Sequence, residues 1–199
     1  MNNFNFVAPF YDDLVQLVFG RTLYQASIHD LARIPANSKI LVLGGGTGKL
    51  LTYLRESHVA YVEKAGKMID KARERKGIGT VDFIRDDFLS WQTDQQFDVV
   101  ICPFFLDVFT LKNLEQVLMK IRSLTTQDGK LIVTDFQQTD RIRHRILLKL
   151  MHWFFRITVR LEGRELAPIN DCALKAGFEQ KSYKTFREAF IFSSVYQAN

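Results

Sequence analysis

Three glycines at alternate positions, Gly44, Gly46 and Gly48, lie in the run ILVLGGGTGKL between a β-favouring segment and a helix-compatible one. Glycine at every second residue lets the chain turn sharply and lets a ligand rest on the backbone without meeting a Cβ. A helix start beyond the turn offers free N–H groups, which suit a phosphate and an amino-acid carboxylate equally. The run is not a P-loop, because Leu43 stands five before Gly48 and Lys49 is followed by Leu50. Nor is it G-x-G-x-x-G: from Gly44 the last position is Lys49, and from Gly45 the middle one is Thr47. Taken alone, the loop reads as well as a plain strand-to-helix turn.

Acids follow in a definite order. Glu63 comes 15 residues after Gly48, at the end of the next apolar run. An acid there, on the second strand of a doubly wound sheet, can accept bonds from both hydroxyls of a ribose; it would also be favoured simply as an acid ahead of a helix. Asp86 and Asp87 end the following run, where a carboxylate can accept from an exocyclic amino group such as that of adenine, or cap a helix. Asp107, in CPFFLDVF, is one more acid past the next apolar run, where a helix cap is its plain reading.

These residues need a frame that brings strand ends together. Residues 9–34 read as helical, Pro35 breaks the pattern, and Lys39–Leu43 is the first strand. A helix is expected over Thr47–Glu56 and a charged one over Gly66–Lys76. Val59–Val62, Val81–Ile84, Asp98–Cys102 and Leu131–Val133 are short continuous apolar runs, with a helix at Leu111–Leu124 and a turn at Asp128–Gly129. Strands of that kind between helices predict a mainly parallel sheet covered on both faces. A short helix, Ile169–Ala176, precedes an antiparallel hairpin of Glu179–Thr185 and Phe190–Tyr196. The fold class is α/β and the chain, 1–199, reads as one domain with an N-terminal helical cap over 1–35.

Composition limits the function classes. A hydrophobic share of 47% with 17 Phe supplies a full core. No apolar run reaches the length of a membrane span, and the N-terminus lacks the charged and apolar regions of a signal peptide. Cys102 and Cys172 are the two cysteines, far apart, so neither a disulfide framework nor zinc is expected, and a cytoplasmic setting is. The four His form no metal-ligand pair, and no metal is expected.

With these residues in place, the chain resembles the class I S-adenosylmethionine-dependent methyltransferases, from about Phe6 to Tyr196. LVLGGGTGKL is similar to their first motif and YVEKAGKMIDKAR to their second, with Met68 five residues after Glu63. VDFIRDDF matches the segment that reads adenine, FDVVICPFFLDVF the fourth-strand motif, and DGKLIVTDF the run that follows the next helix. VAPFYDDL and the GGTG core are most similar to the branch of ubiquinone and menaquinone C-methyltransferases, although much of that branch's signature is missing.

The resemblance implies a doubly wound seven-stranded sheet of order 3-2-1-4-5-7-6 with strand 7 antiparallel. It also implies S-adenosyl-L-methionine as cofactor. Gly44, Gly46 and Gly48 would cradle its methionine part, Glu63 its ribose and Asp87 its adenine. Gly45, Lys64, Met68, Phe88, Cys102 and Phe104 would complete that site. Asp107 becomes the candidate catalytic base. Phe10, Tyr11, Phe105 and Phe109 become candidates for a pocket holding a small, apolar or aromatic acceptor, with Tyr11 and Asp12 closing over it. The family usually carries an acid two residues before the first motif glycine, and this chain has Val42. A lost hydrogen bond to a charged group would weaken cofactor binding by about 1–3 kcal/mol. The alternative is therefore a chain that keeps the fold as a ligand- or partner-binding protein without turnover. No N-P-P-[YF] motif follows the fourth strand, which disfavours methylation of DNA or protein amides.

One further element stands out. Between Arg141 and Arg160 there are six Lys or Arg and no acid, whereas 21 basic residues elsewhere balance 22 acidic ones. Arg141, Arg145, Lys149, His152, Arg156 and Arg160 form one helical stripe, and Ile146, Leu150, Trp153, Ile157 and Leu161 the opposite one. A lid helix over 137–165, packed by its apolar stripe, is the plainer expectation. Peripheral contact of residues 141–160 with an anionic membrane is the functional alternative, and nucleic acid has thin support.

Overall fold

The computed structural model describes residues 11–148 and 168–199. Two short helices, α1 (Tyr11–Phe19) and α2 (Thr22–Ile28), and a 3-10 turn (Leu31–Arg33) lead into β1 (Lys39–Leu43). The long helical reading of residues 9–34 is thus corrected to three pieces, broken at Gly20, whose φ is +59°. Then come β2 (His58–Val62), α3 (Gly66–Arg73), β3 (Thr80–Ile84), β4 (Phe97–Pro103), α4 (Leu111–Leu124) and β5 (Thr125–Phe136). Residues 142–148 form a helical stretch, α5, and α6 (Ile169–Lys175), β6 (Phe178–Phe186) and β7 (Ile191–Ala198) close the order.

The seven strands form one sheet of order β3-β2-β1-β4-β5-β7-β6. Strands β1 to β5 pair in parallel, and β7 runs antiparallel to both β5 and β6. The expected order and the hairpin are both present. Alternation along each strand feeds two apolar clusters. Leu41, Leu43, Val100, Cys102, Leu131 and Val133 pack on one face against Leu114, Val117, Leu118 and Ile121 of α4. Ile40, Val42, Val59, Tyr61, Val99 and Ile101 pack on the other against Leu31, Leu50, Leu51 and Ala72. Each such buried aliphatic side chain favours folding by about 1.5–3 kcal/mol. The start of α4 is fixed by the Thr110 hydroxyl, which accepts from the Asn113 amide at 3.4 Å. The expected turn at Asp128–Gly129 is carried inside β5, where Asp128 has a φ of +63° and the β4 pairing shifts register.

In α5 the packing face differs from the apolar stripe read in the sequence. His144 and Leu148 are buried, His144 stacking on Phe190 at 4.6 Å, while Ile142 and Ile146 are exposed. Arg141 and Arg143 pair with Glu188, which turns this face toward the β6–β7 connection. The remainder of the basic helix, with Lys149, His152, Arg156 and Arg160, lies outside the described residues. Among the described residues no helix is long and apolar enough to cross a membrane.

Candidate active site

The carboxyl ends of β1, β2, β3 and β4, with β5 beyond them, converge on one cavity of about 1120 Å³, the position at which open α/β sheets bind ligands. Between β1 and the next element, Gly44, Gly46 and Gly48 have φ of +64°, +59° and +72°, backbone that side chains rarely adopt. An ideal Cβ at Gly48 would meet Ala72 of α3 at 2.7 Å, so that glycine also sets how closely the helix approaches. At Gly46 nothing lies within 4 Å of such a Cβ, so here the glycine is required by φ alone. The helix expected over Thr47–Glu56 is corrected to a 3-10 turn, Lys49–Tyr53, because the left-handed Gly48 stands directly before it and Leu54 leaves helical geometry after it.

A polar clamp holds the loop from above. The Thr47 hydroxyl donates to Asp12 Oδ1 at 2.9 Å, Lys49 lies 3.3 Å from the same oxygen, and Arg75 reaches Asp12 Oδ2 at 2.8 Å. Arg75 also donates to the Thr47 carbonyl at 2.9 Å. Burial raises the Asp12 pKa, but the bond from Thr47 and the charges and bonds of Lys49 and Arg75 outweigh it and hold the carboxyl below its usual value. Glu63 turns its carboxylate toward the loop, accepting from the Ala65 amide at 2.8 Å and from the Gly46 amide at 3.3 Å. Its pKa is raised because burial outweighs these amides. Asp87 accepts from Lys64 Nζ at 2.6 Å and from the Leu89 amide at 3.1 Å. Burial pushes Asp87 up, and the Lys64 bond and charge bring it below the ordinary value.

The opposite end of the cavity is built differently. Phe104, with a φ of +53°, ends β4 in strained backbone and donates to the Thr134 carbonyl at 2.7 Å. Val15, Val18, Phe19, Phe104, Phe136 and Leu147 make an apolar lobe there. Asp107 faces the junction of the two ends. It has no cationic or side-chain hydrogen-bond partner among the described residues, and burial raises its pKa to about 6 against the pull of its own amide. Beneath it Asp135, which the sequence reading missed, is fully buried and accepts from the amides of Leu106, Asp107 and Phe136 at 3.0, 3.1 and 2.9 Å. Burial and then the Asp107 charge push the Asp135 carboxyl well above the usual range. Tyr11 of α1 packs on Ala65 and Met68, and its pKa is raised by burial and by Asp107 and Glu63.

The cavity brings together Gly44, Gly45, Gly46, Glu63, Lys64 and Met68. Tyr11, Asp87, Phe88, Phe104, Phe105, Asp107 and Phe109 join them. Gly48 supports the loop from behind. Cys102 is a correction: its side chain is fully buried in the core cluster and does not line the cavity. Phe10 lies outside the described residues. Among the described residues, no group of three or more His, Cys, Asp or Glu could hold a metal ion. The residues present fit S-adenosylmethionine, with positive-φ glycine backbone, an acid at the end of β2, an acid after β3 and a volume that leaves space for an acceptor.

Comparison with known proteins agrees. A family model described as a methyltransferase domain matches residues 40–129. A malonyl-[acyl-carrier protein] O-methyltransferase of Bacillus cereus is 31% identical over 105 residues, 51% of this chain and 38% of the relative. The chain thus spans about two fifths of the curated relatives it matches. Among solved structures, a chain of the complex between the Haloferax volcanii Trm112 methyltransferase activator and its methyltransferase superposes with a TM-score of 0.76 at 14% identity, covering 100% of this chain and 98% of that one. The N-methyltransferase NodS of Bradyrhizobium japonicum, in complex with S-adenosyl-L-homocysteine, gives 0.66 at 11% identity over 88% and 83%. Strand order, loop geometry and the match over residues 40–129 give this chain the fold of the class I S-adenosylmethionine-dependent methyltransferases and a stretch similar to a methyltransferase domain.

Proposed function

We propose that the protein transfers a methyl group from S-adenosylmethionine to a small, apolar or aromatic acceptor. The observation that carries this reading is the single cavity, polar and glycine-lined at one end, apolar at the other, with the unpaired carboxylate of Asp107 between them. When bound, S-adenosylmethionine supplies a methyl group already activated on its sulfonium, so positioning accounts for much of the rate. In this chain Gly44–Gly46 hold the amino-acid part by backbone, Glu63 accepts from the ribose and Asp87 accepts from the adenine amine. Tyr11 and Asp12 close the cofactor end against water, and the apolar lobe orients the acceptor.

Asp107 then takes the proton from an acceptor O–H, N–H or acidic C–H. A carboxyl titrating near pH 6 is ionised at neutral pH and still basic enough for that task. The acceptor named for the curated relatives, a malonyl thioester, carries a carboxylate; here Asp107 would face it with like charge, which favours a neutral acceptor instead. Peripheral contact with an anionic membrane through residues 141–160 would suit an apolar acceptor, and the exposed Ile142 and Ile146 are consistent with it.

The test is calorimetric titration with S-adenosylmethionine and S-adenosylhomocysteine, using NAD and ATP as controls, followed by a methyl-transfer screen of neutral acceptors. Micromolar binding of the first two and turnover of at least one acceptor is the expected result. Binding without any turnover would favour the second reading, a non-catalytic ligand-binding protein, to which Val42 in place of the usual acid points.

A further inference from the structure

Val42 is fully buried in an apolar cluster, and its register partner on β2 is Tyr61. Tyr61 is fully buried as well and does not line the cavity, so no ligand can displace its hydroxyl. That hydroxyl donates to the Gly46 carbonyl at 2.8 Å. Its ring lies so close to the loop that an ideal Cβ on Gly45 would sit 2.5 Å from it. The Gly46 amide is also held from the end of β2, by Glu63 Oε2 at 3.3 Å. Both polar groups of the loop's middle residue are therefore satisfied from β2 and neither from β1.

The two holds differ in permanence. Glu63 borders the cavity, and on the proposed function it turns its carboxylate to a ligand, loosening a bond that is already long. Tyr61, away from the cavity, has no ligand to turn to. Burial and then the Glu63 charge, opposed in part by the Gly48 amide and by Arg75, hold the phenol well above its usual pKa, so it stays protonated and able to donate at neutral pH.

We propose that Tyr61 is the positioning residue of the glycine loop, holding Gly46 from β2 in place of a carboxylate at position 42. On this account Val42 marks an anchor that has moved to the neighbouring strand, and the cofactor end remains organised. The inference rests on the proposed function for its ligand but not for its geometry.

Tyr61→Phe keeps the ring and removes the donor. Titrated well below its melting temperature, the variant binds S-adenosylmethionine and S-adenosylhomocysteine both about tenfold more weakly, the scale of one buried hydrogen bond. Val42→Asp, which sets a second acceptor beside an anchored loop, tightens neither ligand. If Tyr61→Phe lowers only the melting temperature and leaves both dissociation constants unchanged, Tyr61 is structural and the inference is overturned. Tightening by Val42→Asp in the otherwise natural chain overturns it too, because the loop would then still lack its anchor. Should the natural chain bind neither ligand, the proposed function fails on its own. Nitrogen-15 spectra then decide this point separately: broadened Gly45–Gly48 amide signals in Tyr61→Phe support the anchor, and unchanged ones refute it.

Discussion

The two ends of the cavity handle charge in opposite ways. At the cofactor end every acid has a partner: Asp12 meets Thr47, Lys49 and Arg75, Asp87 meets Lys64, and Glu63 meets two amides. At the acceptor end Asp107 faces apolar walls without a cation, above Asp135, whose bonds are all to backbone amides. A surface that only binds can be neutralised in advance, since nothing about it changes during the reaction. A group that must take up a proton cannot be, because pairing would lower its pKa and remove its basicity. On the proposed function the contrast separates a frame from a reactive group within one cavity, and it can be probed from each side.

The largest effect belongs to the unpaired end. Asp107→Asn lowers kcat by about 10²- to 10⁴-fold, the usual contribution of a positioned base, while the dissociation constant for S-adenosylmethionine stays within twofold, roughly the scatter of such titrations. On the proposed function, kcat/KM of the natural chain rises with pH through about 6 as Asp107 ionises. A pH profile that keeps its rise in the Asn variant would remove Asp107 from that role. The mirror-image change at the paired end is Glu63→Ala, which weakens cofactor binding by about 10- to 100-fold through the loss of charge-assisted bonds. Its kcat at saturating cofactor stays near normal; a collapse of kcat there would blur the division between the two ends.

The same comparison has a stability side. A carboxyl whose pKa is raised on folding holds its proton more tightly folded than unfolded. Its favourable contribution is complete below the unfolded pKa and is lost as pH rises through the folded value, here about 6. At pH 7–8 the natural chain therefore carries a destabilising charge that Asp107→Asn removes. The variant is expected to be more stable there by roughly 3 kcal/mol, and nearly equal to the natural chain near pH 4. Urea melts at the two pH values measure this directly, and an inactive variant with unchanged stability at pH 8 would mean that Asp107 is solvated.

The centre of the sheet was legible because β1, β2, β4 and the end of β5 are buried on both faces and stand out as apolar runs, and Leu111–Leu124 matched the observed helix residue for residue. Gly44, Gly46, Glu63 and Asp87 were legible because spacing placed each at a strand end. The rest was hidden by chemistry that letters share. Asp135 reads as an acid at the tail of a strand, and nothing in VTDF tells an exposed carboxylate from one taking three amides. Tyr61 reads as one more core aromatic, since its hydroxyl finds a partner only once the loop has folded beside it. Ile146 was assigned to the packed face on hydrophobicity, whereas the packed face is set by His144 on Phe190 and by Leu148. Pairing in space decides all three, and periodicity does not contain it.

The smallest effect tests whether α1 belongs to the frame. Among the described residues Asp12 carries the polar contacts between that helix and the Thr47–Lys49 stretch, and its partners are partly exposed, with side-chain accessibilities of 30% for Arg75 and 38% for Lys49. Ion pairs this open contribute about 0.5–1 kcal/mol each and are screened by salt. Asp12→Asn keeps the shape and the Thr47 bond but leaves Arg75 and Lys49 without their shared anion. Binding of S-adenosylmethionine and S-adenosylhomocysteine should weaken together by about threefold, the equivalent of that energy. The gap between variant and natural chain should narrow in 1 M salt, where the Debye length is about 3 Å. Turnover per bound cofactor stays unchanged, because the clamp touches the frame and not the proton acceptor. A loss that ignored salt, or that fell on kcat instead, would assign Asp12 to the end of the cavity that Val15, Val18 and Phe19 of the same helix already line, and redraw the boundary between the two halves.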